Sequence, residues 1–117
     1  LNKAPRWYGL EVLPVYLRLS RKHLKESRQQ LDNFEASKAK VHLFTSKTVD
    51  HLLKGFFEQN QSVWLFEEQC KRWSQESLNE DQVKELRDLQ NNVEALKINN
   101  AQLLSLAREC KNQVLSA

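Results

Sequence analysis

Three histidines, two cysteines and several glutamates are the side chains best suited to chemistry, and their spacing decides what chemistry they can share. His23, His42 and His51 make no His-x-x-x-His pair, the spacing that sets two imidazoles on one helix face beside an acid. Asp50 and His51 are adjacent, so on a helix they point apart. Glu58, Glu67 and Glu68 look like carboxylate ligands, but di-iron bundles recruit Glu-x-x-His units from several helices, and the chain contains none. No Gly-rich phosphate loop and no Cys-x-x-Cys occurs. The expectation is a non-catalytic protein without metal, cofactor or small-molecule substrate.

Cys70 and Cys110 are far apart, and neither has another Cys or a His within four residues. Each falls on an apolar helical stripe, where a thiol behaves as a small buried hydrophobe. That usage fits a reducing intracellular compartment, cytoplasmic or nuclear.

The elements that hold these residues must be helices. Two glycines and two prolines in 117 residues cannot supply the turns of a sandwich, a barrel or a doubly wound sheet. A hydrophobic share of 40%, with three tryptophans and five phenylalanines needing burial, argues against disorder. No stretch approaches eighteen apolar residues, the length of a membrane span, and no signal peptide is visible. A start at Leu1 without an initiator Met reads as a piece of something longer.

Residues 1–13 read as an N-terminal arm, in which Trp7 and Tyr8 offer a docking segment or a cap on the end of a bundle. A helical, coiled-coil-like domain is expected over 14–117, with helices near 14–35, 38–73 and 79–115. Pro14 suits the first turn of the first helix, where its missing N–H costs nothing. Leu13, Leu17, Leu24, Leu31 and Phe34 share one face with Ser20 and Ser27, small polar residues that imply a close neighbour or a weak seam. The second stripe (Val41, Phe44, Thr48, Leu52, Phe56, Val63, Phe66, Cys70, Trp73) is broad, with Leu43, Leu53, Phe57, Trp64 and Leu65 beside it. That width suits a globular bundle or a second partner helix. Asn79 and Gln82 stand at capping-box spacing, flanked by Leu78 and Val83 as a hydrophobic staple. The short linker before them turns the third helix back on the second.

The third helix carries the clearest pattern. Leu86, Leu89, Val93, Leu96, Asn100, Leu103, Ala107, Cys110 and Val114 alternate three and four residues apart. Branched residues and one Asn at a, with Leu at d, is the preference of a parallel two-stranded coiled coil, which makes this an expected oligomerisation seam. The same stripe also serves packing within the chain, and Leu104 and Leu106 widen it past two-stranded needs. Gln90, Lys97 and Lys111 at e, with Asn92, Asn99 and Gln113 at g, supply almost no charge code for choosing a partner chain. The fold class is therefore all-α: an elongated helical hairpin or three-helix bundle with coiled-coil packing, expected to dimerise.

Charge is unevenly spread. Residues 1–54 hold eleven Lys and Arg against five acids, a balance of +6, and residues 55–117 hold seven against ten, a balance of −3. Arg18, Arg21, Lys22, Lys25 and Arg28 form an anion-binding strip beside the leucine stripe, over an arc of about 120°. The functional expectation is a structural or adaptor module of a larger protein that self-associates or binds another helical protein. The alternative is a peripheral binder of an anionic membrane surface or nucleic acid through this strip.

Overall fold

The computed structural model describes residues 6–37 and 45–116. Three helices, α1 (Leu13–Ser37), α2 (Ser46–Ser74) and α3 (Glu80–Ser116), make up almost all of it. A single 3-10 turn at Leu10–Val12 leads into α1, so the helical structure begins inside the expected arm, and Pro14 occupies the first turn as its chemistry requires.

α1 and α2 are separate helices rather than one continuous rod. Thr45 is extended (φ −91°, ψ 159°), and its hydroxyl oxygen accepts the Thr48 N–H at 3.2 Å, which satisfies one of the free donors of the first turn. α2 therefore starts at Ser46, later than the stripe alone predicts, and residues 38–44, with Val41, His42, Leu43 and Phe44, lie outside the described part. The cap also corrects the stripe itself. Val49 is fully buried, whereas Thr48 is exposed and shares a hydroxyl hydrogen bond with Thr45 at 2.9 Å.

The start of α3 follows the local chemistry. Asn79 Oδ1 accepts the Gln82 N–H at 2.8 Å, and the Gln82 side-chain Oε1 accepts the Asn79 N–H at 3.1 Å, completing the capping box. Leu78 packs on the core, while Val83 remains exposed. Glu80 and Asp81 complement the positive end of the helix dipole.

α3, with 37 residues, is the spine. At 1.5 Å per residue it is about 55 Å long, close to the 57 Å long axis of the molecule. Both other helices pack along it. Side-chain pairs give the directions. Ser20 meets Asn92 and Ser27 meets Asn99, so α1 runs parallel to α3. Glu67 meets Lys97 and Asp50 meets Lys111, so α2 runs antiparallel to it. Between α1 and α2, Tyr16 lies edge-on to Trp73, and Phe34 to Phe56, which makes these two antiparallel as well. The result is an up-down-up three-helix bundle.

Two apolar clusters fill it. The upper one joins Leu13, Leu17 and Leu24 of α1 to Phe66, Cys70 and Trp73 of α2 and to Leu86, Leu89, Val93 and Leu96 of α3. The lower one is smaller and gathers Phe34, Val49, Phe56, Leu103, Ala107 and Cys110, with Leu104 and Leu106 packed against it. The two leucines that widen the α3 stripe thus serve the three-helix geometry.

Gly55 sits in the middle of α2 on an exposed surface, and a Cβ built there meets nothing within 4 Å. Gly55→Ala is expected to raise stability by about 1 kcal/mol, because the helix gains propensity without a steric cost. Chemical denaturation of the two proteins side by side measures it.

Candidate functional site

The α3 seam is filled from within the chain. Leu86, Leu89, Val93, Leu96, Asn100, Leu103, Ala107 and Cys110 are all buried against α1 and α2; the Val114 side chain lies outside the described part. The flanks of the seam are equally occupied. At the g positions, Asn92 Nδ2 donates to the Ser20 hydroxyl at 3.1 Å, and Asn99 Nδ2 donates to the Ser27 hydroxyl at 3.0 Å. Each hydroxyl in turn donates to a carbonyl of its own helix, Ser20 to Leu17 at 2.7 Å and Ser27 to Leu24 at 3.0 Å. These are two identical rungs one heptad apart. At the e positions, Lys97 lies 3.4 Å from Glu67, and Lys111 lies 3.0 Å from Asp50. The Glu67 carboxylate, followed by its hydrogen bond and then Glu94, holds the Lys97 ammonium above its ordinary range. Sequence reasoning missed the serine–asparagine rungs. Their signal was the matching seven-residue interval of Ser20 and Ser27 in α1 and Asn92 and Asn99 in α3.

Asn100 sits beneath the upper cluster, 2% exposed, with no hydrogen-bond partner for its Oδ1 among the described residues. It borders a cavity of about 140 Å³, together with His23, Glu26, Ser27, Gln59 and Ser62 and the apolar Val63, Phe66 and Leu96. Gln59 Nε2 donates to Gln30 Oε1 at 3.0 Å, bridging α2 and α1 at this level. Polar groups therefore separate the two apolar clusters.

The N-terminal arm is latched onto α2 through one peptide unit. The Tyr8 N–H donates to Gln69 Oε1 at 2.9 Å, while the Tyr8 carbonyl accepts from Gln69 Nε2 at 3.2 Å and from Trp73 Nε1 at 2.9 Å. Gln69, 1% exposed, thus presents the two-way pattern of a backbone amide to a backbone amide. Trp7 is half-buried, edge-on to Trp64 at 6.3 Å, with the Arg72 guanidinium 4.3 Å above its ring. Tyr8 stays on the surface beside Tyr16. The arm is thus held against α2 with Trp7 at the edge of Trp64.

Arg18, Arg21, Lys22, Lys25 and Arg28 are all exposed on the outer side of α1, and none makes an ion pair among the described residues. Glu58, Glu67 and Glu68 do not converge: Glu67 faces Lys97 across the α2–α3 groove, and Glu68 pairs along its own helix with Lys71 and Arg72. Among the described residues, no three His, Cys, Asp or Glu side chains come together as a metal would need, and no helix is long and apolar enough to cross a membrane. Cys70 and Cys110 are both buried, one in each cluster, and are not joined in a disulfide. No protein-family model, curated protein or solved structure matches the chain.

Two outcomes are expected from this site. Asn100→Leu should raise stability by about 1–2 kcal/mol at unchanged mass, because an unpaired buried acceptor is exchanged for apolar contact; thermal melts paired with light scattering test both halves. Burial, with a smaller contribution from Glu67, pushes the Cys70 thiol up from 9.0 to about 11. Near neutral pH its reaction with a disulfide reagent should therefore run roughly a hundredfold slower than that of an ordinary thiol. The raised value stabilises the fold fully below about pH 9, and that contribution is lost as pH climbs through 11.

Proposed function

We propose that this chain is a non-catalytic interaction module, a structural or adaptor domain that associates with a second copy of itself or with another helical protein. The observation that carries this reading is the outer face of α2. Phe57 and Trp64 are 61% and 52% exposed, and a spacing of two helical turns puts them on one side of the helix. Trp7, packed edge-on against Trp64 and held under Arg72, extends the patch into an aromatic platform. Nothing in the bundle needs these rings outside. Large aromatics clustered on a surface are the residues that contribute most when two proteins meet.

The seam of α3 is engaged with α1 and α2, so association through the α2 face requires no helix to leave the bundle. An exposed platform also fits an adaptor, since the fold stays closed while one face remains available. Rigid docking of this kind costs little conformational entropy, because two aromatic side chains on a helix have few rotamers to lose.

Sedimentation equilibrium at micromolar concentration tests the self-associating form. The parent chain is expected to sediment as a dimer, and Phe57→Ser/Trp64→Ser as a monomer of unchanged helical content. A parent that keeps the mass of one chain throughout, or a double variant that dimerises as well as the parent, overturns self-association through this face.

A further inference from the structure

We propose that the outer face of α1 is a docking surface for an anionic lipid bilayer. On the other helices Lys71 and Arg72 lie near Glu68, Lys97 near Glu67 and Glu94, and Lys111 near Asp50, while Lys47, Lys54, Lys84, Arg87 and Arg108, spread along α2 and α3, make no ion pair among the described residues. The five cations of the α1 strip have no acid within ion-pair distance among the described residues, although all are exposed and long enough to reach one. Glu26 is the one acid between Arg18 and Arg28, and Glu11 and Asp32 lie before and after the strip. The strip therefore keeps its positive charge open to solvent along almost three turns of straight helix.

Its border selects the kind of anion. Val15 and Leu19 lie on α1 at the edge facing α2, 41% and 39% exposed. Leu65 of α2, 41% exposed, shares a shallow hollow with Leu19, His23 and Phe66. A cationic face with an aliphatic margin is the arrangement that rests on headgroups and sinks its apolar edge into the boundary with the acyl chains. The phosphates of a nucleic acid would use the cations but leave the aliphatic margin without an apolar partner. Among the described residues no helix is long and apolar enough to cross a membrane; attachment through the cationic face weakens with salt.

Co-sedimentation of the intact chain with phosphatidylcholine vesicles, with and without phosphatidylserine, tests the proposal. Binding is expected only to the phosphatidylserine vesicles and should fall steeply as salt rises. Arg21→Glu/Lys22→Glu/Lys25→Glu should weaken it at least about a hundredfold, and Leu19→Ser/Leu65→Ser about tenfold, both with native helical content, since every altered side chain is exposed. A short DNA duplex run in parallel identifies a mere polyanion surface: if it binds as tightly as the vesicles and the serine variant binds both equally well, lipid docking is overturned. Absence of vesicle binding at low salt, or binding untouched by charge reversal, overturns it too. Phe57→Ser/Trp64→Ser should leave vesicle binding intact, which separates this surface from the aromatic platform of α2.

Discussion

α3 has to serve two helices that run in opposite directions, and it does so by carrying a different chemistry on each flank of one apolar stripe. On the side toward α1, Asn92 and Asn99 reach short serine hydroxyls, which only a close approach of the two backbones allows. Toward α2, Lys97 and Lys111 reach carboxylates across the surface of the groove with long, flexible stems. Surface ion pairs of this kind contribute little energy each. The amide–hydroxyl rungs are half-buried and repeat at the same interval on both helices, so a slip of one heptad leaves at least one rung unmade. Direction and register of the parallel pair follow from them, while the bulk of the stability comes from the apolar clusters.

The polar level around Asn100 divides those clusters. An unpaired buried acceptor costs about 1–3 kcal/mol, and the cavity beside it forgoes contacts that close packing would supply. The same level carries the Ser27–Asn99 rung and the Gln30–Gln59 bridge, which tie α1 to both other helices at one height. Stability is surrendered there, and the cross-links that remain specify which helix lies beside which. The upper cluster, with the buried ring of Trp73, is the larger of the two.

Gln69 and Trp73 connect the arm to this scheme. Both face inward from α2, both are almost completely buried, and both present donors to the Tyr8 carbonyl. The buried amide of Gln69 and the indole N–H of Trp73 thereby find partners. The exposed aromatic platform depends on the latch in turn, since fixing Tyr8 delivers Trp7 to the edge of Trp64.

Local features were legible in the chain. The helical class follows from the scarcity of Gly and Pro and from the periodicity of the stripes. The capping box at Asn79 and Gln82 and the burial of the α3 seam are also properties of neighbouring residues, written in spacings of three and four. What covers that seam was not legible, because a heptad stripe looks the same to a second copy as to the other helices of its own chain. Pairing of Ser20 with Asn92, the capture of Tyr8 by Gln69, and the position of α2 after the Thr45 cap each join residues through space or hinge on one side-chain rotamer. Periodicity carries no information about either. Burial of an apolar stripe is dictated by the hydrophobic effect, which is non-directional; the choice of its covering surface rests on directional hydrogen bonds and shape, which exist only once the helices have met.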